Sequence, residues 1–131
     1  VKLKKKKSAE RYLNFYAILE NDSIYIKKRV ENAIWKNLYE FPNMESKQFF
    51  DNELLPKELS KMLRIQSVSK IQKHVLSHQN IYAKLFICEA IPTVKKPDNW
   101  IKINKNNFAN YPIHRLMEKM IESNLTHTLR I

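Results

Sequence analysis

The chain has 131 residues, 44% of them hydrophobic, and a formal net charge of +11. This length and composition predict one globular domain with a substantial core. The charge favours a polyanionic partner, nucleic acid before an anionic membrane surface; a basic protein that is merely soluble is the alternative. No apolar run approaches the roughly 18 residues of a membrane span, and no signal peptide is evident. Because the first residue is Val, we expect a processed product or, in preference, a domain cut from a longer protein.

The absence of glycine and the single cysteine exclude several kinds of site. Phosphate-binding loops, dinucleotide-binding turns and nucleophile elbows all need glycine for close backbone approach or positive φ. We therefore expect tight turns to use Asn, Asp and Pro. Cys88 lies in an apolar segment, which predicts a buried small side chain and excludes an intrachain disulfide or a cysteine-ligated cluster.

Strand-like and helical segments alternate along the chain, which predicts an α+β domain with helices packed on a mixed β-sheet. The last helix is the clearest, because its apolar residues follow the i, i+3, i+4, i+7 spacing. The tail, Asn124 to Ile131, is expected to be frayed. In order, the predicted elements are a strand from Arg11 to Leu19, a turn from Glu20 to Ser23, strands from Ser23 to Val30 and from Ala33 to Phe41, helices from Ser46 to Asp51 and from Pro56 to Leu63, strands from Val68 to Leu76 and from Ile81 to Ile91, a loop to Asn99, a short strand from Trp100 to Ile103, a turn from Asn104 to Asn110 and a helix from Pro112 to Ser123.

The longest mostly apolar run, Ile81 to Ile91, follows a polar break from Ser77 to Asn80. Eleven residues fit a long strand or a short helix. Strand-forming residues are abundant and both alternate faces are apolar, so we predict a central strand covered on both sides. With apolar residues also before the break, the region is typical of a hairpin whose exposed tip could carry recognition groups.

Candidates for catalysis and metal binding are weak. His74 and His78 are four apart, a spacing that suits a zinc pair on a helix but not across a strand and a turn. The carboxylates are scattered, and Ser77 beside His78 has no acidic residue placed to orient the imidazole. We therefore predict no catalytic and no metal site. Lys27, Lys73 and Lys84 are candidate phosphate contacts that would leave the tip free to read a base edge, although any one lysine can simply be solvated.

Two segments resemble a known family. Residues Ile34 to Pro42 read IWKNLYEFP, and His74 to His78 read HVLSH just before the long apolar strand. From about Arg11 to Ser123 this arrangement resembles the C-terminal domain of the A/G-specific adenine DNA glycosylases, the MutY family. The first segment is shared with true Nudix hydrolases, whereas the second points to the glycosylase branch.

The resemblance implies a Nudix-like (MutT-like) mixed β-sheet flanked by two or more helices, without hydrolase activity. It implies a DNA-repair role in base excision, reading 8-oxoguanine opposite adenine so that a separate catalytic domain removes the adenine. That domain and its iron–sulfur cluster would lie upstream, so no cofactor is expected in this chain. Residues 1–10 would be a basic interdomain linker, 11–123 the recognition domain and 124–131 the tail.

In the family, a Phe-Ser-His tip enters the duplex beside the oxidised base. Ser77 and His78 match, while Leu76 stands where Phe is usual, so an aliphatic wedge would replace an aromatic one. Asn37 replaces the usual glycine, consistent with a left-handed backbone site. The stretch from Met44 to Leu63 supplies neither the glycine nor the glutamate-dense helix of the Nudix box.

The expected partners are double-stranded DNA with an 8-oxoguanine:adenine mispair and the protein's own catalytic domain, with no membrane. We expect a monomer that is cytoplasmic and nucleoid-associated. Two alternatives stay open: a divergent Nudix hydrolase, and a generic basic domain that binds nucleic acid or protein.

Overall fold

The computed structural model describes residues 9–30, 34–47 and 55–129. The strands of these segments are β1 (Ala9–Glu20), β2 (Ser23–Lys28), β3 (Tyr39–Glu40), β4 (Asn43–Ser46), β5 (Leu63–Val68), β6 (Gln72–Leu76), β7 (Gln79–Ala90) and β8 (Ile101–Asn104). The helices are α1 (Lys57–Ser60), a 3-10 helix (Lys105–Asn110) and α2 (Arg115–Asn124). No helix within these three ranges is long and apolar enough to cross a membrane.

The centre of the sheet is a parallel pair, β1 and β7, which stay in register from Ala9 opposite Gln79 to Leu19 opposite Glu89. The other strand pairings are antiparallel. On its second edge β1 pairs with β4 near its start and with β2 at its end, while β7 pairs with β6 and then with β5. The predicted α+β fold with a mixed sheet is confirmed.

Two apolar clusters cover the opposite faces of the central pair. Odd positions of β1, such as Phe15, face the first cluster with α2 and the 3-10 helix, and even positions, such as Ile18, face the second with β5 and α1. Residues of β7 divide in the same way, so the prediction of a strand covered on both sides is confirmed. Cys88 is free and buried in the second cluster, where burial raises the pKa of its thiol to about 12.

The region between the two halves of the sheet departs from the sequence prediction. The helix predicted from Pro56 ends at Ser60, because Leu63 starts β5 beside the end of β7. The single strand predicted from Val68 to Leu76 is wrong as well, since β5 ends at Val68 and β6 begins at Gln72. The helix predicted from 46 to 51 is contradicted at its first residue, which closes β4; residues 48–51 lie outside the described part of the chain.

The third predicted strand and the tail also differ from expectation. Ala33 lies outside the described part of the chain, and of residues 34–41 only Tyr39–Glu40 form a strand, because Trp35 and Asn37 have positive φ values of 62° and 70° and turn the chain. The left-handed conformation predicted for Asn37 is therefore confirmed. The tail is not frayed as far as it is described: Leu125 and Leu129 are 2% and 3% exposed and complete the first cluster.

Candidate nucleic-acid interface

The tip of the β6–β7 hairpin is a two-residue turn made by Ser77 and His78. The last strand pair joins Leu76 to Gln79, so the turn is tighter than the predicted four-residue break. Neither Ser77 nor His78 has positive φ, which excludes the type I′ turn common in two-residue hairpins. Both side chains are exposed, and the His78 carbonyl accepts a hydrogen bond from the Ala9 amide at 3.1 Å. The tip therefore presents a hydroxyl and an imidazole to solvent beside the start of β1.

Side chains of β6 alternate between the core and solvent on the approach to the tip. Leu76 is half-buried and packs against the first cluster, and His74 is 8% exposed. Val75 and Lys73 lie on the other face, and Val75 is 66% exposed. The predicted wedge, Leu76, is thus held by the domain in this conformation. Val75 is the exposed apolar side chain next to the tip.

The three predicted phosphate contacts occupy different places. Lys73 is exposed, and its Nζ lies 5.7 Å from the ring centroid of Tyr82 on the neighbouring strand. Lys84 is half-buried further along β7, opposite Asn14, and is not a free cation. Lys27 lies on β2, on the far side of β1 from the hairpin. Of these three lysines, only Lys73 lies near the tip, on the strand that leads into it.

Arg11 is a basic residue near the tip that the sequence interpretation missed. Its guanidinium binds both carboxylate oxygens of Glu45 on β4, at 2.6 and 3.0 Å, and donates to the side chain of Gln79 at 3.2 Å. Arg11, Lys27 and Glu45 help to line a cleft of about 450 Å³. The guanidinium therefore connects this cleft to the base of the tip, and its bond lowers the pKa of the Glu45 carboxyl.

A buried polar cluster lies beneath the cleft, centred on the fully buried Glu40 carboxylate. Arg29 donates to both carboxylate oxygens at 3.0 and 3.1 Å, and Asn43 donates at 2.8 Å. His114 Nε2 lies 3.0 Å from Oε1. Arg29 follows the basic residues of β2 in sequence, but it is not a solvated cation, because its side chain is 9% exposed and paired. The one sequence signal for this cluster was the position of Glu40 between Tyr39 and Phe41, because a carboxylate in an apolar segment needs a buried partner.

Hydrogen bonds define the ionisation of this cluster. The Met117 amide donates to His114 Nδ1 at 3.2 Å, so the imidazole caps α2 as an acceptor and carries its proton on Nε2, which donates to Glu40. Burial lowers the pKa of His114 and keeps the ring neutral. Burial alone would raise the pKa of Glu40, but the bond from His114, the charge of Arg29 and the bond from Asn43 outweigh it and lower that pKa.

Trp35 connects this cluster to the hairpin. Its ring stacks on His114 with centroids 4.0 Å apart and an angle of 14° between planes, and it lies 6.0 Å from the His74 ring. The order along the column is thus Glu40, His114, Trp35 and His74. Within residues 9–30, 34–47 and 55–129, no group of three or more His, Cys, Asp or Glu side chains could hold a metal ion.

Known structures share this fold at low sequence identity. The C-terminal domain of mouse MUTYH, solved in complex with human PCNA, is 15% identical, with a TM-score of 0.59 over 89% of this chain and 88% of that one. A MutT NUDIX hydrolase from Burkholderia pseudomallei is 12% identical, with a TM-score of 0.60 over 88% and 98%. The E. coli ORF135 protein is 12% identical, with a TM-score of 0.58 over 91% and 94%.

These structural likenesses establish the fold alone. Comparison with curated protein sequences gives no match. A family model described as NUDIX domain matches residues 14–123, which is most of the chain. The chain therefore belongs to the NUDIX domain family.

Proposed function

We propose that this chain is the non-catalytic lesion-recognition domain of an adenine DNA glycosylase, acting on 8-oxoguanine opposite adenine. The observation that carries the proposal is the exposed Ser77-His78 turn on a NUDIX fold, at the position where the sequence resembles the tip of the glycosylase family. The likeness to the mouse MUTYH domain supports the same branch. Net charge of +11 suits a DNA partner.

The chemistry of the tip fits the lesion. Guanine N7 is a hydrogen-bond acceptor, whereas in 8-oxoguanine N7 carries a hydrogen and C8 carries an extra oxygen. A serine hydroxyl can accept from N7–H and can donate to O8. His78 would contact the same strand, and Lys73 would neutralise a phosphate beside it. One neutral hydrogen bond of this kind contributes roughly 0.5–1.5 kcal/mol, enough to bias recognition of the lesion without deciding it alone.

The remaining parts of the proposal lie outside this chain. Adenine removal belongs to an upstream catalytic domain with its iron–sulfur cluster, so this chain needs no cofactor. The partners are duplex DNA containing the mispair and that catalytic domain, and the whole protein acts as a cytoplasmic, nucleoid-associated monomer.

The test is Ser77→Ala in the full-length protein, measured by single-turnover kinetics on 8-oxoguanine:A and G:A duplexes. We expect the preference for 8-oxoguanine:A to narrow roughly 2- to 12-fold, the rate equivalent of one neutral hydrogen bond. Ser23→Ala is the matched control, because Ser23 lies beyond the opposite end of β1, roughly 35 Å away at the usual strand rise. An unchanged preference in Ser77→Ala would contradict the role given to Ser77.

A nucleotide hydrolase is the second candidate, favoured by the likeness to MutT-type hydrolases and by the cleft beside Arg11. The glycine-free stretch from Met44 to Leu63 argues against it. Incubation of the chain with Mg²⁺ and 8-oxo-dGTP separates the two proposals. Measurable turnover would support the hydrolase, and its absence alongside a Ser77→Ala effect would support the recognition domain.

A further inference from the structure

The strand that carries the tip has few attachments beyond its backbone ladder. Among the described pairings, β6 pairs only with β7, and the side chains of Ile71, Lys73 and Val75 point to solvent. Gln72, His74 and Leu76 share the inward face of β6, and His74 and Leu76 are the two of them nearest the tip. On the β7 side the tip is held by the bonds from Ala9 to the His78 carbonyl and from Arg11 to Gln79, and on the β6 side it depends on what His74 and Leu76 contact.

His74 has two partners from other parts of the chain. Lys119 on α2 places its Nζ 3.1 Å from His74 Nδ1, and the Trp35 ring lies 6.0 Å from the imidazole ring. A lysine ammonium can only donate, so Nδ1 accepts and the neutral imidazole carries its proton on Nε2. The hydrogen bond therefore ties β6 to α2 in one protonation state only.

Trp35, the second partner of His74, is itself held in place by its surroundings. Trp35 has a φ of 62°, a conformation that is unfavourable for a bulky residue and persists only where its surroundings determine it. Its ring is stacked on His114, which is bonded to Glu40 and to the α2 backbone. His74 thus rests on a side chain anchored in the buried ion-pair cluster.

We propose that His74 is a positioning residue for the Ser77-His78 tip, which its neutral imidazole orients by accepting a hydrogen bond from Lys119 and packing on Trp35. The importance of that orientation for lesion reading rests on the proposed function, whereas the orientation itself does not. The charged and titratable groups around the imidazole are Lys119 and Arg115 on α2, and His114.

Acid distinguishes this arrangement from simple packing. A proton on Nδ1 would remove the acceptor and place two cations 3.1 Å apart. Burial, followed by the nearby charges, lowers the pKa of His74, so the tip stays oriented at neutral pH and is released at acidic pH. Protonation therefore loosens the tip while β7 and the rest of the ladder remain.

The first experiment needs no DNA. In ¹⁵N relaxation measurements on this chain, we expect Ser77 and His78 to have order parameters near 0.85 at about pH 7.5, falling below about 0.6 as His74 is protonated. Lys119→Met should show the low values already at neutral pH. His74→Asn has an amide oxygen that replaces Nδ1 as acceptor and does not titrate. Its tip should keep the high order parameters both at about pH 7.5 and at the acidic pH that protonates His74 in the unsubstituted chain.

Controls keep this experiment interpretable. The Asn21-Asp22 turn at the other end of β1 reports general loosening, and His127→Asn removes an exposed histidine elsewhere. Lys119 is only half-buried, so we expect Lys119→Met to fold. It therefore tests the proposal even if a substitution at the buried His74 prevents folding. Tip order parameters that are unchanged in Lys119→Met, or that do not depend on pH in the unsubstituted chain, would overturn the proposal.

A DNA arm separates this proposal from the proposed function. In the full-length protein, Lys119→Met should narrow the preference for 8-oxoguanine:A roughly 2- to 12-fold, the same change that we expect for Ser77→Ala. A loosened tip with unchanged preference in both variants would refute lesion reading and uphold positioning by His74. A narrowed preference in Ser77→Ala, together with unchanged tip order parameters in Lys119→Met, would support lesion reading and refute positioning by His74.

Discussion

The buried Glu40 carboxylate gives the sharpest prediction about stability. Glu40→Gln keeps the shape of the side chain but removes its charge, and Arg29 then loses the carboxylate to which it is bonded although its side chain is 9% exposed. The new amide group also directs N–H donors at Arg29, Asn43 or His114, each of which donates to Glu40 in the native cluster.

The structure allows the size of this effect to be worked out. Removing one partner of a buried pair costs about 3–5 kcal/mol, because the other charge stays desolvated without compensation. That is a large part of the roughly 5–15 kcal/mol by which a domain is normally stable. We expect urea unfolding at pH 7.5 to show a free energy of unfolding lower by about 3–5 kcal/mol, with an unchanged m-value.

Glu45→Gln is the matched control. Glu45 also pairs with an arginine, Arg11, but its side chain is 46% exposed, so the same change should cost less than about 1 kcal/mol. If Glu40→Gln is no more destabilising than Glu45→Gln, the buried cluster does not hold the domain together as described.

Three further predictions concern acid, the tip and the tail. His114 and Glu40 have folded-state pKa values below 6.5 and 4.5, so the unfolded chain binds more protons; in urea titrations, stability should decline as the pH falls below about 6.5 and again below about 4.5. Leu76→Ala should lower the free energy of unfolding by about 1–3 kcal/mol, whereas Val75→Ser, at an exposed side chain, should change it by less than about 0.5 kcal/mol in the same urea assay. Leu129→Ala should lower it by about 2–5 kcal/mol, visible as a lower Tm by calorimetry; no change would mean that the tail does not belong to the core.

Features encoded by local periodicity were predictable from the sequence. β7 and α2 have apolar patterns typical of a buried strand and of an amphipathic helix, and the polar break ahead of β7 indicated the hairpin. Asn21 and Asn37 take positive φ, as expected in a chain without glycine. β5 was missed because Leu59 and Leu63 fit a helical stripe as well as a short helix followed by a strand.

Features that depend on distant partners could not be predicted. The bond between Glu40 and His114 joins residues 74 positions apart, and nothing in either local segment specifies the other. The hairpin tip could be located, but the direction of its side chains could not, since a shift of one residue in strand register exchanges Leu76 and Val75 between core and solvent. The sequence therefore located the candidate site but not the way His74 and Arg11 attach it to the domain.

The parallel register of β1 and β7 also has a consequence for synthesis of the chain. Each paired residue of β1 meets the residue 70 positions later, so the apolar stretch around Phe15 has no β7 partner until most of the domain has been made. At about 5–20 residues per second, the wait is roughly 4–14 s. A nascent chain that stalls before Gln79 would expose this strand, which makes arrested intermediates of this domain candidates for aggregation or chaperone capture.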